Sequence, residues 1–188
     1  QIMALCGLAL KEQGKLSGNT VVATIMSNIG LHMFVREHGM NVECTNVGDR
    51  NVLERMQEKG YAIGGEQSGH MIFLEHATTG DGELTALQML ALLKESGKKA
   101  SEVFGSCPRY PQVLINIPVA NNDAKKAIMA SAELAQAVAG EEEKLGDEGR
   151  VLVRPSGTEA LMRVMVEAKT QQTAQEAAQR LADLIAKL

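Results

Sequence analysis

The sequence is poor in the residues that mark several large classes of function. It has no Trp and only 3% aromatic residues, so no base-stacking platform for single-stranded nucleic acid is on offer. Positive charge is not in excess. The formal net charge is −4, which argues against nonspecific nucleic-acid binding. The three cysteines, Cys6, Cys44 and Cys107, are far apart and odd in number. They form no metal-ligand spacing and fit a reducing compartment, so the expected location is cytoplasmic. No apolar run reaches the roughly 18 residues of a membrane span. The opening Gln1-Ile2-Met3-Ala4 lacks the basic stretch of a signal peptide. It also lacks an initiator Met and runs straight into a helical pattern, so the expectation is a piece of a longer polypeptide. Neither Gly-x4-Gly-Lys-Ser/Thr nor Gly-x-Gly-x-x-Gly occurs, which weighs against a nucleotide-binding α/β protein.

What is present is an ordinary globular balance, 45% hydrophobic and 22% charged over 188 residues, enough for one large domain or two small ones. Ile2, Leu5, Cys6 and Ala9 recur at helical spacing, ended by Gly14. Val21 to Ile25 is a buried strand. Ser27 or Asn28 caps a helix whose Leu31, Phe34, Val35 and His38 share a face, and Gly39 closes it. Val42 to Val47 alternates as a strand, a helix runs from about Arg50 to Lys59, and Ala62 begins another strand. This alternation predicts an α/β layered domain with a mostly parallel sheet over residues 1–105, lacking its first part. His32 and His38 have no carboxylate or Cys at matching spacing and read as surface or core-edge side chains. Asp81 caps the helix of Leu84, Leu87, Leu90 and Leu93. The Pro-containing stretch 106–111 reads as a linker. Over residues 112–188 follow a half-buried strand (Val113 to Val119), a helix capped within Asn121 to Asp123 and reaching about Ala139, a solvated Glu141-Glu142-Glu143, two strands, and a last helix. That last helix carries the stripe Ala174, Ala177, Ala178, Leu181, Leu184, Ile185 and Leu188. The second domain is therefore expected to be a small α+β unit, an antiparallel sheet with helices on one face.

Two polar stretches interrupt these patterns. Arg154-Pro155-Ser156-Gly157-Thr158-Glu159 lies between the runs Val151-Leu152-Val153 and Ala160 to Ala168. A guanidinium offers a planar fork of donors, Ser156 and Thr158 add hydroxyls, and Gly157 permits backbone N–H groups to turn inward: the chemistry of an anion site. Arg163 follows on the outgoing strand, where alternation separates Ala160, Met162, Val164 and Val166 from Leu161, Arg163, Met165 and Glu167. Arg163 either backs the loop or pairs near Glu167. The plain alternative for the stretch is a polar hairpin turn. The second stretch is Gly65-Glu66-Gln67-Ser68-Gly69-His70. Its flanking glycines allow tight turns and close ligand approach, Glu66 accepts from hydroxyls, and Ser68 and His70 donate. Its plain alternative is a hairpin with incidental polar residues.

The pattern Arg-x-Ser-x-Thr-x4-Arg near the end of the chain resembles the phosphate-binding loop of the α-D-phosphohexomutases. Gly-Glu-x-Ser-Gly-His resembles the sugar-binding loop of the same family, in the same order. Val47-Gly48-Asp49-Arg50 and Thr78-Thr79-Gly80-Asp81-Gly82 also look like family segments. With Gln67 they are more similar to the branch acting on glucosamine phosphates than to the phosphomannomutase branch. The resemblance covers the third and fourth domains of a four-domain enzyme. It implies interconversion of glucosamine 6-phosphate and glucosamine 1-phosphate through a phosphoserine enzyme and a bisphosphorylated sugar, in the synthesis of amino-sugar nucleotides and cell-wall precursors. It implies sugar contacts at Glu66, Ser68 and His70. Phosphate contacts are implied at Arg154, Ser156, Gly157, Thr158 and Arg163, with Arg50 a candidate near the reacting phosphate. The family's Thr/Ala-Ser-His-Asn-Pro nucleophile segment and its Asp-Gly-Asp-x-Asp-Arg loop for Mg2+ are absent from this sequence. The implied partners are a phosphosugar and the N-terminal domains of the same polypeptide, with no nucleic acid or membrane. The chain is then expected to be inactive alone. A non-catalytic phosphosugar-binding module is the rival class, and a phosphomannomutase or phosphoglucomutase the rival within the family.

Overall fold

The computed structural model describes residues 1–188, which divide into two compact units, Gln1–Arg109 and Tyr110–Leu188. The first contains α1 (Ile2–Glu12), β1 (Thr20–Thr24), α2 (Ile29–Glu37), β2 (Asn41–Thr45), α3 (Asp49–Lys59), β3 (Ile63–Gly65), β4 (Met71–Phe73), α4 (Gly82–Ser96) and α5 (Ala100–Gly105). Its sheet has the order β2-β1-β3-β4, with β1 parallel to β2 and β3, and β4 antiparallel to β3. The mostly parallel sheet expected from the alternation is present.

Strand β1 is central and buried at every position, as a β-branched run covered on both faces should be. Val21, Ala23, Ile63 and Phe73 pack with Leu5, Phe34, Met89 and Val103 from α1, α2, α4 and α5. Val22 and Ile72 point the other way, onto Val52 and Met56 of α3. The result is an α/β/α sandwich. Gly64 lets α3 lie close to the sheet, since a Cβ there would stand 2.6 Å from Met56 Sδ and 2.8 Å from Val52 Cγ1. Strand β2 is the edge and only partly covered.

Helix ends follow local chemistry. Asn28 caps α2, its side chain accepting from Gly30 N–H, and Asp81 caps α4, accepting from Leu84 N–H. The apolar stripe expected on α4 is rotated. Thr85 and Met89 are buried, whereas Leu87 and Leu90 are 65% and 61% exposed. A strict three-residue repeat drifts around a helix of 3.6 residues per turn, so Leu84 and Leu93 pack inward while Leu87 and Leu90 do not. His38 stacks on Phe34, ring centroids 4.0 Å apart, and its Nδ1 donates to Phe34 O. It is a core-edge histidine, as expected.

The stretch expected to be a linker is anchored at both ends. Cys107 is buried in the first unit and its carbonyl accepts from Gln1 Nε2. The Pro108 carbonyl lies against Gly30, where a Cβ would come within 1.9 Å of it. Pro111 O accepts from Ala168 N–H in the second unit.

The second unit contains β5 (Gln112–Pro118), α6 (Asn122–Met129), α7 (Ala132–Leu145), β6 (Arg150–Pro155), β7 (Leu161–Glu167) and α8 (Gln171–Ile185). The sheet order is β5-β7-β6, antiparallel throughout. Ala174, Ala177, Ala178 and Ala182 of α8 are small enough to bring the helix close to the sheet, and Leu181 and Ile185 fill the space against Val113, Val164 and Val166. Two expectations are corrected here, and the outgoing strand adds a further finding. The helix after Asn121 is two helices, because Ser131 starts a second one by accepting from Leu134 N–H. Glu141 is not solvated: it is 5% exposed, and both its oxygens accept from Arg180, at 2.9 and 2.8 Å. The outgoing strand is buried on both faces at its far end, where Met165 and Glu167 are covered as fully as Val164 and Val166. Glu167 is tolerated there because Gln112 Nε2 and Arg150 Nε donate to it, at 2.6 and 2.7 Å.

Candidate functional site

In the first unit the chain leaves β1 toward β2 on one side and crosses back to β3 on the other. Beyond the carboxyl ends of β1 and β3 the connections therefore diverge, the place where open α/β sheets bind ligands. The Glu66 to His70 loop begins there, at the end of β3. It is the turn of the β3–β4 hairpin, closed by Glu66 N–H to His70 O at 2.8 Å and Gly69 N–H to Glu66 O at 3.1 Å. Gly69 has φ +105°, a left-handed conformation that favours glycine.

Two neighbouring loops position this turn. Glu66 Oε1 accepts from Gly48 N–H at 2.9 Å, which ties the hairpin to the start of α3 and leaves Oε2 to receive a hydroxyl. The His70 ring lies over Gly80, where a Cβ would be 2.3 Å from its Cδ2. Its Nε2 is 3.9 Å from Asp49 Oδ2. Glycines 48 and 80 and Asp49 thus set the positions of Glu66 and His70. The segments holding them were noticed in the sequence, but not this role. Ser68 is exposed at the tip. Arg50 stands apart: its side chain is 86% exposed and its Nε donates to Glu54 one turn along α3 at 2.7 Å.

In the second unit, the Arg154 to Glu159 stretch joins β6 to β7. Register places Arg154 directly opposite Arg163, with Asn116 on the other flank of Arg163. Two like charges facing each other across a ladder are unfavourable in the absence of an anion. The Arg154 side chain is half-buried and its guanidinium donates to no residue of the chain. Burial first, and then the neighbouring Arg163 charge, pushes its guanidinium below the usual range. Arg163 donates to Glu159 Oε2 at 2.8 Å, while its Nε is enclosed without a partner. Arg163 therefore belongs to the loop and not to the Glu167 neighbourhood.

Ser156 is buried. Its N–H donates to Leu161 O at 2.9 Å and its Oγ accepts from Glu159 N–H at 3.2 Å, so the hydroxyl shapes the turn. Gly157 and Thr158 are exposed at the tip. Beneath the loop is a residue that no motif marked. Lys125 of α6, 6% exposed, donates from Nζ to the carbonyls of Ser156, at 2.8 Å, and of Glu159. Its one sequence signal was its position three residues before Ile128 on the buried stripe of α6.

The side chains present do not form a magnesium site. No three His, Cys, Asp or Glu side chains gather to hold a metal, and the Asp81 carboxylate is engaged by the α4 N-terminus. No helix is long and apolar enough to cross a membrane.

This combination, a polar hairpin at a sheet switch point followed by a cationic loop on an antiparallel sheet, has relatives. Residues 1–110 match the phosphoglucomutase/phosphomannomutase alpha/beta/alpha domain III, and residues 114–184 match the C-terminal domain of the same family. The chain belongs to the phosphoglucomutase/phosphomannomutase family. It is 52% identical over 186 residues to a phosphoglucosamine mutase of Saccharopolyspora erythraea, covering 99% of this chain and 41% of that protein. It is 53% identical over 184 residues to a phosphoglucosamine mutase of a Thermoanaerobacter species, covering 98% and 41%. The chain thus spans about two fifths of the length of these relatives. Among solved structures, an N-acetylphosphoglucosamine mutase of Aspergillus fumigatus superposes with TM-score 0.83 at 20% identity, covering 99% of this chain and 42% of that one. An N-acetylglucosamine-phosphate mutase in its substrate complex gives TM-score 0.77 at 22% identity, covering 98% and 42%. These two likenesses concern the fold.

Proposed function

We propose that the chain supplies the sugar-reading and phosphate-holding loops of a phosphosugar mutase that interconverts glucosamine 6-phosphate and glucosamine 1-phosphate. The observation that carries this reading is the Arg154–Arg163 juxtaposition at a loop ending in Gly157 and Thr158. It is a cationic cradle whose charge suits a phosphate. Glucosamine as the sugar rests on the identity to relatives named phosphoglucosamine mutase. A mutase of this kind presents its sugar in two opposite orientations. The Arg154 loop grips whichever phosphate is not reacting, and Glu66, Ser68 and His70 read hydroxyls common to both poses. Catalysis then depends on positioning and charge stabilisation. In this reading the phosphoryl donor is a phosphoserine on a part of the polypeptide outside this chain, and a bisphosphorylated sugar links the two half-reactions. Magnesium, present with GlcNAc-6P in a complex of the A. fumigatus enzyme, would assist the transfer from that same outside part. Arg50 meets a reacting phosphate only after exchanging Glu54. The cellular setting of this reading is the cytoplasm.

A nuclear magnetic resonance titration with glucosamine 6-phosphate tests it, with glucosamine and inorganic phosphate as controls. The expected result is about millimolar affinity, since two or three charge-assisted bonds of roughly 1.5–3 kcal/mol each are offset by several kcal/mol of association cost. Shifts should appear at Arg154, Gly157 and Thr158, and at Glu66 and His70. Arg154→Ala should weaken binding by roughly tenfold or more. Unchanged affinity in that variant would remove the phosphate assignment.

A further inference from the structure

The charges around the Arg154 loop are unequal in a specific way. Arg154 and Arg163 lie opposite each other on β6 and β7, and Lys125 is buried beneath the turn. The one carboxylate bonded among them is Glu159, which takes Arg163. Lys125 forms no ion pair; its bonds go to two backbone carbonyls. Three cations against one carboxylate leave two positive charges, the complement of a phosphate dianion.

Lys125 also sets the direction of the loop's backbone dipoles. In a trans peptide the C=O and the N–H of the same unit point in opposite directions, and the chain has no cis peptide bond. Lys125 draws the Ser156 and Glu159 carbonyls inward, so the Gly157 and Ala160 N–H groups face away from it. Neither N–H donates to another residue of the chain. Outward N–H groups over a buried cation are a nest for an anion.

Building on the phosphate-loop reading above, we propose that Lys125 is a positioning residue that makes this loop select doubly charged phosphomonoesters over singly charged anions of the same shape. It does so without touching the ligand, by adding a charge beneath the loop and by turning two N–H donors outward. Two consequences follow. Affinity for a sugar phosphate rises with pH as the ester loses its second proton, near pH 6. A sugar sulfate, which has the same tetrahedral head but a single charge, binds more weakly.

The test compares glucosamine 6-phosphate with glucosamine 6-sulfate at about pH 8, read at the Gly157 and Ala160 amide resonances of the 188-residue chain. Wild type, Lys125→Arg and Lys125→Met are compared. Wild type should prefer the phosphate by roughly tenfold, and Lys125→Arg should keep most of that preference. Lys125→Met should lose it, with phosphate affinity falling and sulfate affinity nearly unchanged. A scaffold role alone would weaken both ligands by the same factor, and that result overturns the proposal, as does an unchanged preference in Lys125→Met. If Lys125→Met unfolds, the wild-type pH profile decides. A rise in phosphate affinity between about pH 5 and pH 8, with a flat profile for the sulfate, supports the proposal, and equal profiles refute it. Wild type that binds neither ester at these amides refutes the phosphate-loop reading itself, an outcome distinct from binding without discrimination.

Discussion

His70 illustrates how a single small residue sets the position of a polar side chain. Its side chain is half exposed, and on one side its ring rests on the bare Cα of Gly80. Gly80 has an ordinary backbone conformation, so alanine there meets only the imidazole. The ring can swing into solvent without disturbing the core. Gly80→Ala is therefore expected to reduce glucosamine 6-phosphate affinity by roughly threefold or more while changing stability by at most about 0.5 kcal/mol, the usual size of an effect at a surface position. Parallel ligand titration and urea unfolding check this. Intact affinity would show that His70 does not contact the sugar. Arg154 shows the same logic with the opposite sign. Nothing in the chain satisfies it, and Arg163 repels it. An anion between the two guanidiniums would relieve that repulsion.

At the scale of elements, the second unit is held by a pair that its sequence disguised. Glu141 on α7 and Arg180 on α8 form a two-pronged contact, with Lys144 adding a third donor to Glu141. These bonds, led by the Arg180 hydrogen bond, hold the Glu141 carboxyl at about 2, below its ordinary 4.5. A carboxyl depressed on folding stabilises the fold fully above its ordinary range and loses that contribution as pH falls. Here the loss spans pH 4.5 down to about 2. Glu141→Gln should therefore lower the unfolding free energy at neutral pH by about 1–3 kcal/mol, and should flatten the acid side of the stability curve in that interval. Denaturant unfolding at several pH values measures both. An unchanged acid limb would mean that the pair contributes nothing.

For the molecule as a whole, the chain divides into two compact units, with the boundary between Arg109 and Tyr110. Each core carries one of the two loops. The side chains that would donate a phosphoryl group or hold magnesium are not among its motifs, and no metal cluster forms. In a coupled assay the chain by itself is expected to convert no glucosamine 6-phosphate to glucosamine 1-phosphate. Turnover above background would mean that a residue within these 188 can carry the phosphoryl group.

Much of this was legible in the sequence for one physical reason: the features concerned are local. The caps Asn28, Asp81 and Asn121 bond to backbone two or three residues ahead. Strand β5 shows a period of two and α8 its helical stripe. The two polar loops are contiguous runs whose chemistry is their own. Other features depended on packing between distant segments, where periodicity carries no information about what covers a face. Lys125 reaches the loop across 31 and 34 residues, and Glu141 meets Arg180 across 39. Met165 and Glu167 are buried on the face where alternation placed Arg163, whereas Leu87 and Leu90 are left in solvent. The sequence by itself determined most of the helices and strands and where the two polar turns fall between them. Only the tertiary structure decided which charges are buried together, because burial and pairing are properties of neighbours in space.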